Sequence, residues 1–203
     1  MNESSAATDQ MRTDDPFALF QRWFGEARAA EAVDPNAMAL ATVSPEGAPS
    51  LRIVLLKGVD DRGFVFYTNL GSRKAAELQA NPNAALCFLW KSLGRQVRVE
   101  GVCEPVSDTE ADNYFASRPR GSQIGAWASK QSQPLPERSV LELRVADFEN
   151  KFEGGDVPRP DFWSGFRLVP ARFEFWHGQP SRLHDRMVYV ADGNRWSAER
   201  LYP

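Results

Sequence analysis

Two hydrophobic periods alternate along this chain, and the places where one replaces the other divide it into elements. From Asp15 onward, Phe17, Phe20, Trp23, Phe24 and Ala27 recur three or four residues apart, a spacing that puts them on one face of a helix. Asp15 and Pro16 stand before them as a capping side chain and a first-turn proline, so a helix is expected to begin there. The pattern then shortens. AMALATV, SLRIVLLK, GFVFYTN, AALCFLWK and RQVRVEGVCEPV are brief, rich in β-branched and aromatic residues, and separated by SPEGAP, GVDDRG and NPN. Such runs between turn residues predict strands. Their regular spacing, without long helices between them, points to an antiparallel barrel or sandwich.

The helical period returns in the second half. Ser107 and Glu110 form a capping box ahead of Tyr114 and Phe115, which predicts a helix start. A longer helix is expected from about Pro136 to Phe152, ended by Gly154 and Gly155. GSQIGAWASKQS between them is glycine-punctuated and ambiguous, and reads as a short helix and a loop. The tail, GFRLVPARFEFWHG and then RLHDRMVYVADGNRWSAERLYP, returns to strands, with Asp192-Gly193 as a hairpin signal. The expected fold is mainly β (α+β), a barrel with peripheral helices. One domain over 15–203 follows a polar tail, 1–14, expected to be mobile.

Composition narrows the function. A net charge of −3 over 203 residues argues against general nucleic-acid binding. Neither a signal peptide nor a membrane anchor is expected from the polar, acidic first residues. The two cysteines, Cys87 and Cys103, lie in apolar strand-like sequence and read as buried free thiols, which suggests the cytoplasm. Without a Cys/His cluster, no metal site is expected.

Three clusters could carry chemistry. Ser72, Arg73 and Lys74 open a helix, where cations are mildly disfavoured. Either an anion such as phosphate sits between them and the free backbone N–H groups, or both side chains point to solvent. Arg52 and Lys57 interrupt the apolar strand LRIVLLK, on opposite faces by alternation. They either reach solvent at the strand ends or meet anionic groups on two sides, because an unpaired buried charge is costly. Tyr114, Arg118, Arg120 and Ser122 form the third cluster. It suits a helix C-terminus and equally a rigid turn around a phosphate. Gln96, Gln131 and Ser132 are neutral donors and acceptors suited to a heteroaromatic edge. Both histidines fall in EFWHGQPSRLHDR (Glu174–Arg186). There Arg182, His184 and Arg186 would share one face of a strand near Trp176, while His177 reads as a turn residue.

Taken together, RIVLLK (Arg52–Lys57), FYTN (Phe66–Asn69), SRKA (Ser72–Ala75), RQVRVEG (Arg95–Gly101), SRPRGSQIGAWASKQS (Ser117–Ser132) and EFW…RLHDR (Glu174–Arg186) resemble the pyridoxamine 5′-phosphate oxidase family, in family order, over about Asp15–Pro203. The resemblance implies an FMN-binding split β-barrel and a homodimer with FMN at the subunit interface. It implies oxidation of pyridoxamine or pyridoxine 5′-phosphate to pyridoxal 5′-phosphate, with a hydride passing from C4′ to flavin N5 and O2 reduced to H2O2. By the same resemblance, FMN is held by Arg52, Ile53, Val54, Leu55, Leu56, Lys57, Tyr67, Thr68, Arg73, Lys74, Gln96, Gln131, Ser132, Trp176 and Arg186. The substrate phosphate falls to Lys57, Tyr114, Arg118 and Ser122. Arg182 and His184 lie near the substrate ring and are the implied catalytic pair. Two phosphates would explain two separate basic clusters. One departure is the N-terminal segment, which offers only Arg12 and no tyrosine where family members often carry a basic, aromatic lid. Two rivals stand beside this reading: a related split-barrel FMN oxidase of phenazine biosynthesis, and a non-catalytic flavin or pyridoxal-phosphate carrier.

Overall fold

A computed structural model describes residues 11–203. The expected mobile tail falls outside the described residues over 1–10. Its last part does not: Met11 is buried in the core, and the Tyr189 hydroxyl donates to its carbonyl.

Helix α1 (Pro16–Ala30) starts as its sequence predicts, with the Asp15 carboxylate accepting from the Phe17 N–H at 2.8 Å. It buries Leu19, Phe20, Trp23, Phe24 and Ala27. Nine strands follow: β1 (Ala37–Val43), β2 (Pro49–Leu55), β3 (Gly58–Asp60), β4 (Gly63–Asn69), β5 (Asn83–Trp90), β6 (Arg95–Pro105), β7 (Trp163–His177), β8 (Asp185–Asp192) and β9 (Arg195–Leu201). Between them lie α2 (Arg73–Ala80), α3 (Asp108–Ala116), α4 (Arg120–Ala128) and α5 (Arg138–Lys151). All strand pairs are antiparallel, in one curled sheet ordered β2-β1-β5-β6-β7-β4-β3, with β8 and β9 continuing from β7. The barrel with peripheral helices is therefore present, in split form.

Strand β7 is where the sheet divides. Its first part, Trp163–Leu168, pairs with β4, its last part, Arg172–His177, pairs with β8, and β6 runs along most of its length. The register of β6 slips between Glu100 and Gly101. A Cβ at Gly101 would stand 2.0 Å from the Val169 carbonyl oxygen, so the close approach that bends the sheet there needs glycine.

The core is aromatic. Phe20, Phe64, Phe88 and Phe173 are fully buried, and Phe20 meets Phe64 edge-on at 4.8 Å, a favoured ring arrangement. A smaller apolar cluster of Phe115, Ile124, Val157 and Trp163 joins α3 and α4 to β7. The predicted capping box is complete, with the Ser107 hydroxyl and the Glu110 carboxylate each accepting from the other's backbone N–H. The ambiguous GSQIGAWASKQS stretch is mostly helix α4. Cys103 is buried, and burial pushes its thiol up to about 12. Cys87 is only half-buried, because it alternates with buried Leu86 and Phe88 and so faces the other side of β5. No helix among the described residues is long and apolar enough to cross a membrane.

Candidate active site

A cavity of about 650 Å³ opens where β2, β4, α3 and α4 converge. Its wall on the β2 side is built by the consecutive residues Arg52, Ile53, Val54 and Leu55 of an edge strand. Arg52 and Val54 are half-buried, while Leu51 and Ile53 are each 66% exposed on the opposite face. The strand ends at Leu55. Leu56 turns into the core and Lys57 lies in the connection to β3, exposed at the cavity rim.

Arg52 is not the snorkelling strand-end charge that alternation alone left open. Its guanidinium donates to the Leu40 carbonyl at 3.1 Å, to the Thr42 and Ser50 hydroxyls, and to Glu77 at 3.2 Å. Glu77, on α2, is buried and also takes the Arg73 Nε–H at 2.8 Å. Burial alone would raise its pKa. Hydrogen bonds from Ser50, Thr42, Arg73 and Arg52 outweigh that and hold it down at about 2.

At the start of α2, Ser72 is the N-cap residue. Lys74 projects back over it, and its ammonium donates to Gln131 at 2.9 Å, Thr68 at 3.2 Å and Ser72 at 3.4 Å. All three partners are neutral. Burial and the nearby Arg52 charge push the Lys74 pKa below its usual value. Arg73 lies mostly in solvent, while its backbone N–H donates to Ser132 at 3.2 Å. The helix opening therefore concentrates positive charge and N–H donors, the arrangement that suits an anion.

A stack of rings forms the next wall. Tyr67 lies against Tyr114 at 4.1 Å and against Trp163 at 5.3 Å, with nearly parallel planes. Arg118 lies over Trp163 at 4.8 Å, and burial lowers its pKa. One of its terminal nitrogens, Nη1, is buried without a hydrogen-bond partner among the described residues. Ser122, in the first turn of α4, lines the same cavity. Arg120 does not join them. It opens α4 and donates to the carbonyls of Phe152 and Gly155 at 2.6 and 2.7 Å, closing the end of α5 rather than that of the capping-box helix α3. Asn69 and Trp163 also line the cavity. Asn69 closed the FYTN motif without being singled out, and nothing local marked Trp163.

The remaining candidates gather elsewhere on the chain. Gln96 pairs with Trp176, and Trp176 with Arg186, across β6, β7 and β8. Arg186 donates from Nε and Nη2 to Glu174 at 2.9 and 2.8 Å. The His184 ring lies 4.6 Å from that of Trp176. None of Gln96, Trp176, Arg182, His184 and Arg186 lines the cavity of their own chain. The expected strand through Arg182 and His184 is absent. Pro180, Ser181 and Arg182 form a tight turn in which Ser181 and Arg182 have positive φ, and β8 starts only at Asp185. Proline at the turn's first position favours the tight bend over extension. His177 is not a turn residue but the last residue of β7, opposite Asp185.

Comparison with known proteins decides the family. Residues 25–152 match the family model for pyridoxamine 5′-phosphate oxidase, and residues 163–203 match the C-terminal dimerisation region of pyridoxine 5′-phosphate oxidase. The chain belongs to the pyridoxamine 5′-phosphate oxidase family. A relative from Rhodospirillum rubrum named pyridoxine/pyridoxamine 5′-phosphate oxidase is 63% identical over 93% of this chain and 96% of its own. One of the same name from Brucella anthropi is 54% identical over 98% and 100%. Among solved structures, PhzG from Burkholderia lata, bound to tetrahydrophenazine-1-carboxylic acid, superposes with a TM-score of 0.89 at 34% identity over 94% of each chain. An FMN-binding family relative from Nostoc punctiforme, 18% identical over 95% of this chain and all of its own, has a TM-score of 0.75 and shares the fold.

Proposed function

We propose that this chain is an FMN-dependent oxidase converting pyridoxamine 5′-phosphate, pyridoxine 5′-phosphate or both to pyridoxal 5′-phosphate, with O2 reduced to H2O2. The observation that carries this reading is the pairing of two anion-ready groups on one cavity. Lys74 has only neutral partners, and the buried Nη1 of Arg118 has none. Buried charges ordinarily find opposite charge. A flavin mononucleotide and a phosphorylated substrate would bring one phosphate to each.

In this reading Lys74, Arg73 and the α2 N-terminus hold the cofactor phosphate, Thr68, Gln131 and Ser132 give it neutral hydrogen bonds, and β2 flanks the flavin. Arg118, Ser122, Tyr114 and Lys57 hold the substrate phosphate, Arg118 with the forked geometry that suits it. FMN, when bound, supplies the acceptor for the hydride leaving C4′ and passes the electrons to O2. The chain's own work is to bind, orient and screen. Arg182, planar and always charged, covers the substrate ring and aligns C4′, and His184 orients the ring or moves a proton.

Gln96, Trp176, Arg182, His184 and Arg186 complete the site from a second subunit. Two features support a homodimer: most of that group lies within the dimerisation match, and apolar Leu51 and Ile53 are exposed beside the cavity. Anaerobic mixing of the FMN-loaded protein with pyridoxamine 5′-phosphate tests the activity. Bleaching of the flavin absorbance, reversed by air with pyridoxal 5′-phosphate formed, is the expected result. The likeness to PhzG favours a second reading, an oxidase of phenazine-type substrates. That reading gains if the flavin bleaches with a reduced tricyclic substrate and not with the phosphorylated one.

A further inference from the structure

The turn that carries Arg182 is held in an unusual backbone. Ser181 and Arg182 are both left-handed, with φ of 57° and 61°, a conformation disfavoured for residues with a Cβ. It persists only if its surroundings impose it, and one side chain reaches the groups that do so. The Gln179 amide nitrogen donates to the Asp185 carboxylate at 2.8 Å and lies 3.4 Å from His177 Nδ1. Asp185 and His177 are register partners at the mouth of the turn, so the amide bridges the two strand ends. Only the NH2 end of that amide suits a carboxylate, which fixes its orientation. His177 is kept below its usual pKa by burial and by the Arg95 guanidinium, against the pull of Asp185, and its Nδ1 faces the amide nitrogen as the acceptor. The turn is braced below by the Gly178 N–H, which donates to the Gly94 carbonyl at 2.8 Å.

The main chain of Gln179 acts on the other histidine. Its N–H donates to His184 Nδ1 at 3.0 Å. A neutral imidazole that accepts at Nδ1 carries its proton on Nε2. We infer that Gln179 is a positioning residue for the Arg182–His184 pair: its backbone N–H selects the Nε2–H form of His184, and its side chain holds the left-handed turn that presents Arg182. Within the proposed oxidation, on which this role rests, His184 then offers the bound ring a hydrogen-bond donor rather than a basic lone pair.

The chain has only two histidines, so long-range ¹H–¹⁵N spectra of the untagged, FMN-loaded protein contain two imidazoles, and His177→Asn assigns them. The wild type is expected to show His184 as the Nε2–H form. Gln179→Ala, and Gln179→Met at nearly equal volume, keep the backbone N–H but lose the side-chain tether to Asp185 and His177 that holds it in place, so His184 should show mixed tautomers. They should lower kcat with pyridoxamine 5′-phosphate roughly tenfold and keep KM within about twofold, the signature of lost alignment. FMN content should not change. An Nδ1–H form in the wild type would overturn the inference. So would unchanged His184 signals in both variants, or a loss confined to melting temperature and FMN content with kcat per bound flavin intact. A wild type that binds FMN but never turns over defeats the oxidase reading instead, and the tautomer comparison still decides the role of Gln179.

Discussion

Arg52 and Arg118 line the same cavity, yet their surroundings are opposite. Arg52 reaches Glu77, two hydroxyls and a backbone carbonyl of its own chain. Arg118 lies over an indole ring with one nitrogen buried and unpaired. A charge satisfied by its own fold acts as scaffold and has little left to offer a ligand. A desolvated charge with an open donor is less stable alone, and that deficit is recovered when an anion arrives. In the proposed reading, Arg118 is the one with a donor open to what binds, while Arg52 also holds the wall it lines.

Removing Glu77 should separate the two most sharply. Glu77→Ala strands Arg52 and takes an acceptor from Ser50, Thr42 and Arg73, so a stability loss of about 3 kcal/mol is expected in denaturant unfolding. The double variant Arg73→Ala, Lys74→Ala should fold but lose FMN on gel filtration, with about 2–3 kcal/mol of phosphate binding removed. Flavin content equal to wild type would reverse the phosphate assignment at α2. Arg118→Ala should raise KM for pyridoxamine 5′-phosphate by roughly tenfold or more, with stability within about 0.5 kcal/mol of wild type or slightly above it. A large stability loss there would make Arg118 scaffold after all.

The smallest effect concerns acid stability. The folded pKa of Glu77, about 2, lies below its ordinary 4.5. Its contribution is therefore complete above the ordinary value and is lost as pH falls toward 2. Unfolding measured across that window should show a shallower acid limb in Glu77→Gln than in the wild type.

Much of this was legible beforehand, and the exceptions share a cause. Local period and turn chemistry located β1, β4 and the capping box of α3, because those signals lie within a few residues. The same alternation misread Arg182 and His184 as strand neighbours, since the bend depends on Pro180 and on tethers to His177 and Asp185 in the flanking strands. Glu77 was invisible because a lone glutamate on a short helix reads as solvated. Arg73 stands one turn before it on the same helix, but only folding brings Arg52, Ser50 and Thr42 to it from β2 and β1. Motif resemblance collected the candidate residues without showing that one chain divides them into two groups.

Strand β7 has a consequence for how the protein is made. The free edge of β4 and the outer edge of β6 both meet their partner only there, so a growing chain carries two unmatched, apolar edges until Trp163 and the residues after it are synthesised. Pairings this distant along the chain form slowly, and open edges invite other chains to pair with them. The cavity wall at Tyr67 therefore gains its Trp163 support late in translation, and the nascent protein is most vulnerable to association just before that last fifth is released.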